Sequence, residues 1–194
     1  MAEQPAPPEV PIIVVFAHAN GFCKEVWDGV IADFTALAPA AIRPRLRCLA
    51  LDLPGHGLTG TVLDVATSPP SWDFVGVHIR EQAEMMKEEA REEVATQMVL
   101  SGRLGSNDTL EPLVIGVGHS LGGAGCVMAE LQAPGLFDRL VVWEPILFDP
   151  DPDIQMKRLS GGPDKAKTTS RRRSDFVSPQ QALDAFAPKA LFVD

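Results

Sequence analysis

Residues 112–131 read PLVIGVGHSLGGAGCVMAEL. The first six form a continuous apolar run with β-branched residues, as expected of a strand buried on both faces. Residues 121–132 suit a helix, which Ala133-Pro134-Gly135 stops. Between the two lies Gly118-His119-Ser120-Leu121-Gly122, a G-x-S-x-G sequence followed by Gly123. At about 7% each for Gly and Ser, a chain this long yields only ~0.06 chance matches, so the motif carries information. A serine on so tight a strand-to-helix turn takes strained backbone angles, and flanking glycines remove the Cβ clashes that would forbid it. The helix behind it offers its positive end and free N–H groups to a developing oxyanion. Ser120 is therefore a candidate nucleophile, set against the plainer reading of a glycine-rich turn with an incidental serine.

Working outward, residues 11–17 (PIIVVFA) repeat the buried-strand composition. Over 24–37, Val26, Trp27, Val30, Ile31, Phe34 and Leu37 recur at helical spacing and predict an amphipathic helix. Pro39 and Pro44 close it, and residues 45–51 (RLRCLAL) read as a second strand running into a glycine-rich turn at Asp52. Val75, Ile79, Ala83, Met86, Ala90, Val94 and Met98 then trace one long helix, with Met85 and Met86 assigned to core packing rather than to a binding surface. Residues 101–109 read as a loop, and LVVWE from Leu140 gives a fourth strand. Strands alternating with helices at this spacing indicate an α/β protein with a mainly parallel sheet. Past Pro145 the text is loop-like until Ser178-Pro179-Gln180-Gln181, a capping box that opens a short helix through Phe186.

With 194 residues, the chain has length for one domain with a sizeable core. Its net charge of −9 disfavours nucleic-acid binding, which needs clustered cations. The basic run of Lys165, Lys167, Arg171, Arg172 and Arg173 reads as a solvated loop. Cys23, Cys48 and Cys126 have the spacing of neither a disulfide framework nor a zinc site, so no metal is expected. No apolar run is long enough for a membrane span. The first ten residues, MAEQPAPPEV, lack the basic and apolar regions of a secretory signal, which makes a cytoplasmic location the expectation.

Two further segments accompany the serine motif: His18-Ala19-Asn20-Gly21-Phe22 after the first strand and Asp52-Leu53-Pro54-Gly55-His56-Gly57 after the second. With GHSLGG they resemble three signatures of the alpha/beta-hydrolase family, in the family's order, over roughly residues 18–145. Ala19 stands where the family usually has glycine. The resemblance implies an alpha/beta-hydrolase fold, incomplete on its C-terminal side, with residues 1–145 as the first part of the core and 146–194 as the start of a lid. It further implies a serine-dependent hydrolase of ester, thioester or amide bonds acting on a small acyl substrate, without cofactor. The oxyanion donors would be the backbone N–H groups of Leu121 and Asn20, with Phe22 as the other candidate for the second. Serine at the elbow argues against relatives that use an aspartate nucleophile, such as epoxide hydrolases and haloalkane dehalogenases.

A serine hydroxyl needs a base, and in this family the order is Ser, acid, His. No histidine follows His119. His18 and His56 suit loop-holding hydrogen bonds, His119 flanks the serine and His78 lies on the long helix. Three explanations compete: a chain that stops before the catalytic histidine, a fold that has lost catalysis and serves as a binding or scaffold protein, or recruitment of an upstream histidine. Glu144, ending the fourth strand, is the acid candidate within the chain; Asp149, Asp151 and Asp153 rank below it.

Overall fold

Ile12–Ala17 forms β1, the strand on which the rest is built, and all six of its side chains are buried. A strand covered on both faces has no need of polar alternation, which is why its sequence is uniformly apolar. In the computed structural model, which describes residues 9–59, 73–101, 110–146 and 176–186, β1 is joined by β2 (Leu46–Leu51), β3 (Leu113–His119) and β4 (Arg139–Trp143). The strand order is β2-β1-β3-β4 and every pairing is parallel, with Ala17 level with Leu51 on one side and Gly118 on the other.

The connections explain how the faces are covered. From β1 the chain passes through α1 (Asp28–Leu37) to β2, then returns through α2 (Asp73–Leu100) to the opposite side of β1 as β3. Right-handed crossovers in opposite directions deposit their helices on opposite faces. Accordingly α2 and α3 (Leu121–Gln132) bury Val75, Ile79, Ala83, Cys126 and Ala129 against Ile13, Val15 and Ala17. On the other face Ile12, Val14 and Phe16 meet Trp27 and Ile31, with the Phe16 and Trp27 rings 5.4 Å apart. The α2 stripe expected from the sequence is the buried one; Met86 packs against that core, whereas Met85 is exposed.

Two elements depart from expectation. The amphipathic segment begins as a 3-10 turn at Lys24–Trp27 before α1, and none of its residues is fully buried. Val26, Val30, Phe34 and Leu37 remain exposed, because among the described residues of Met1–Leu147 α1 is the sole α-helix packed on that face of the sheet. Arg45 belongs to a 3-10 turn rather than to β2, and its guanidinium donates to the Val10 carbonyl at 2.7 Å.

Contacts divide the chain into two units, Met1–Leu147 and Phe148–Asp194. In the second, α4 (Pro179–Phe186) is capped by Ser178, whose Oγ accepts the Gln181 N–H at 3.2 Å. The loop of 102–109, the Asp149, Asp151 and Asp153 segment and the basic run lie outside the described residues. No described helix is long and apolar enough to cross a membrane.

Candidate active site

Because the chain leaves β1 in one direction and β3 in the other, the carboxyl ends of these two strands mark the switch point of the strand order, the usual ligand position in open α/β sheets. Two segments border it: residues 18–22 after β1 and residues 118–122 after β3. The Gly122 N–H donates to the His18 carbonyl at 3.1 Å and ties the segments together.

Ser120 stands alone between β3 and α3 with φ 52° and ψ −111°. A positive φ at a residue with a Cβ costs about 1–3 kcal/mol and persists only where its surroundings enforce it. Here they do so from both sides. The Ser120 N–H donates to the Trp143 carbonyl at 2.9 Å, and its carbonyl accepts the N–H of Ala124 at 3.0 Å and of Ile146 at 3.3 Å. The neighbouring glycines are required by close approach: a Cβ on Gly122 would strike the Ala17 carbonyl oxygen, and one on Gly118 would lie 2.6 Å from the Gly122 oxygen. Neither obstacle is a side chain that could swing away.

The loop after β1 is held by two histidines. His18, fully buried, donates from Nδ1 to the Ala19 carbonyl at 2.8 Å and accepts the Leu53 N–H at Nε2 at 3.0 Å. Burial lowers its pKa from the ordinary 6.5, outweighing the opposite pull of the Ala19 bond. The Ala19 oxygen also accepts the Phe22 N–H at 3.2 Å. Since the carbonyl and N–H of a trans peptide point in opposite directions, anchoring the Ala19 oxygen also fixes the Asn20 N–H. Among the described residues, the Asn20 and Leu121 N–H groups meet no acceptor, whereas those of Gly21, Phe22 and Gly122 are all engaged. Phe22, the alternative donor, thus has its N–H committed elsewhere.

The second turn is organised by Asp52, whose nearly buried carboxylate accepts the N–H groups of Lys24 at 2.8 Å and Leu58 at 3.0 Å and pairs with Lys24 Nζ at 3.0 Å. Burial alone would raise its pKa, but the Leu58 and Lys24 bonds hold it down at about 2. Gly57, at φ 52°, leaves no room for a Cβ beside that carboxylate. His56 bridges the two turns: its Nε2 lies 3.0 Å from the Gly21 N and 3.1 Å from Asn20 Oδ1.

The structure therefore gathers Ser120, Leu121 and the Asn20 loop at neighbouring strand ends. Glu144 is exposed at the end of β4, and its notable feature is a φ of 45°, which turns the chain so that Ile146 reaches the Ser120 carbonyl. His119 stacks obliquely against Trp143, with ring centroids 6.4 Å apart. Sequence reasoning gave His18 and His56 loop-holding hydrogen bonds, as found, but missed that His56 reaches the other turn, and missed the Trp143 and Ile146 clamp, since hydrogen bonds between distant turns leave no periodic signal. Among the described residues, no three His, Cys, Asp or Glu side chains converge to hold a metal ion.

A model described as "Alpha/beta hydrolase family" matches residues 14–194 of the sequence. Among solved structures, the chain is similar to the peroxisomal alpha-beta-hydrolase Lpx1 from Saccharomyces cerevisiae, with a TM-score of 0.61 and 18% identity. That match covers 98% of this chain and 48% of the yeast one. MenH from S. aureus gives a TM-score of 0.55 at 14% identity, covering 96% of this chain and 56% of the other. The chain thus spans about half the length of the structures it matches. No curated protein matches the sequence significantly.

Proposed function

Since the chain belongs to the alpha/beta hydrolase family, we propose that Ser120 is the nucleophile of a hydrolase acting on the ester, thioester or amide bond of a small acyl substrate. One observation carries the reading: a non-glycine residue held at φ 52° where a strand turns into a helix, braced from two other segments. Strain so thoroughly enforced is characteristic of a functional position. In this reading Ser120 Oγ attacks the carbonyl carbon, and the negative charge gathering on its oxygen is received by the Asn20 and Leu121 N–H groups. Neither donor meets another acceptor among the described residues.

The serine proton needs a base, and the two histidines of the neighbouring turns have other tasks. His18 uses both ring nitrogens inside the core, and His56 uses both in the turn contacts. We assign the base to a histidine outside this sequence, the acid to Glu144 as the candidate within it, and residues 146–194 to the beginning of a lid. The same commitment of the histidines favours a second reading, a hydrolase fold that binds without catalysing.

Reaction of the 194-residue chain with p-nitrophenyl acetate, followed by mass spectrometry of the acylated peptide, tests both. Loss of the histidine from such a triad costs on the order of 10⁶ in turnover, while oxyanion stabilisation alone retains about 10³ over water. Slow acylation confined to Ser120 and abolished by Ser120→Ala is expected. Acylation unaffected by that substitution would refute the nucleophile and favour the binding reading. Rapid turnover would show that a histidine of this chain acts as base.

A further inference from the structure

His56 performs no step in the reaction above, yet it is joined to the loop that carries one of the proposed oxyanion donors. Its Nδ1 lies 3.2 Å from the Pro54 carbonyl oxygen, which can only accept, so the ring bonds it as an Nδ1–H donor. Nε2 is then a lone-pair acceptor, and the Gly21 N–H at 3.0 Å supplies the matching donor. A proton on Nε2 would instead serve Asn20 Oδ1, 3.1 Å away, but would leave both the Gly21 N–H and the Pro54 oxygen without a partner. Of the two neutral tautomers, the hydrogen-bond pattern thus favours Nδ1–H.

The consequence lies in the backbone. Asn20 sits between two peptide planes. The one before it contains the Asn20 N–H and is fixed through the Ala19 oxygen by His18; the one after it contains the Gly21 N–H and is fixed by His56. Gly21 has φ +81°, a conformation open to many alternatives in a glycine, so without His56 the second plane has little to hold it. The two rings meet edge to face with centroids 5.1 Å apart, so the two fixings support each other.

We propose that His56 is a positioning residue for carbonyl activation: by accepting the Gly21 N–H it holds the plane after Asn20, and through its ring contact with His18 it steadies the plane before it, so that the Asn20 N–H keeps its oxyanion-binding direction. The proposal rests on Ser120 being the nucleophile. It predicts a rate effect without a binding effect, because a misdirected donor weakens the transition state more than the bound substrate.

The test uses the full 194-residue chain and three variants. His56→Phe keeps the ring contact with His18 and removes the acceptor; His56→Gln supplies an amide oxygen in its place; Ser120→Ala sets the background. Should His56→Phe fail to fold, His56→Asn, polar but too short to reach Gly21, takes its place with the same expected loss. The readouts are Ser120 acylation by p-nitrophenyl acetate over a concentration series and amide hydrogen exchange at Gly21. His56→Phe should acylate about 10- to 100-fold more slowly at unchanged half-saturation, the scale of a displaced catalytic group. Its Gly21 amide should exchange at least ~10-fold faster, as expected once that hydrogen bond is lost. His56→Gln should stay within ~3-fold of the parent on both counts if it restores the bond. Faster Gly21 exchange with an undiminished acylation rate would overturn the proposal, as would equal losses in the Phe and Gln variants. A parent rate no higher than that of Ser120→Ala would instead overturn the nucleophile itself, and the proposal with it.

Discussion

Replacing Asp52 by asparagine removes the charge at the centre of the second turn while keeping its shape. The carboxylate accepts two backbone N–H groups and the Lys24 ammonium, three donors in all. Asparagine offers one oxygen, and its amide nitrogen must then face a donor, so at least one of those bonds is lost. The native carboxyl titrates at about 2 against an ordinary 3.8. At about 1.36 kcal/mol for each pH unit, that gap contributes about 2 kcal/mol of stability near neutrality. Because the folded value is the lower one, the contribution is complete above 3.8 and disappears as the pH falls through about 2. Asp52→Asn should therefore lower the urea-derived stability at pH 7 by about 2 kcal/mol, and the melting temperature by roughly 4–8 °C for a domain of this size. The deficit relative to the parent should shrink between pH 4 and pH 2, since protonation of the parent's Asp52 reproduces the loss. Other carboxylates titrate in both proteins and cancel in the difference. A deficit that stayed constant down to pH 2, or was absent at pH 7, would refute the assignment of Asp52 as the turn's anchoring charge.

Other substitutions test separate parts of the framework. Gly122→Ala should cost upwards of about 3 kcal/mol in urea denaturation, because its methyl group meets the Ala17 carbonyl oxygen and only a backbone shift can relieve it. Glu144→Gly should raise stability by about 0.5–1 kcal/mol by releasing a side chain from φ 45°, whereas Glu144→Gln, which keeps the strained side chain, should leave it unchanged. Ile79→Ala, which empties a fully buried position between α2 and the sheet, should cost about 2–5 kcal/mol by the same measurement. Along β4, amides that face away from β3 should exchange rapidly and the chain should self-associate in light scattering, since Val141 is 58% and Trp143 72% exposed; Trp143→Lys should reduce that association.

How much of this was legible in the sequence depended on how local each signal was. The bounds of α3, Leu121–Gln132, could be read directly because a strand-ending glycine motif precedes it and Ala133-Pro134-Gly135 follows it. The buried stripe of α2 was equally legible from its spacing. The apolar face of α1 was legible from its spacing, yet much of it stays exposed, because periodicity identifies an apolar face without saying what covers it. Glu144 gave no warning of its left-handed backbone, since glutamate is not a residue that turns select.

The site itself divides along the same line. Each of its turns is written in a short motif, but their relation is written in none of them. The Gly21 bond to His56 spans 35 residues, and the Gly122 bond to the His18 carbonyl spans about a hundred. What brings them together is the sheet. Parallel pairing sets Ala17 level with Gly118, so the segments one turn beyond each strand must emerge side by side, and the reversal of strand order keeps α1 and α3 from closing over them. Given that register, a few backbone hydrogen bonds suffice to fix where the Ser120 and Asn20 amides lie. The conformational demand on the serine is thereby met by elements far from it in sequence, Trp143 and Ile146 among them. Changes in the segment after β4 should accordingly disturb Ser120 without touching its side chain, which is how a strained residue comes to depend on the whole edge of the sheet.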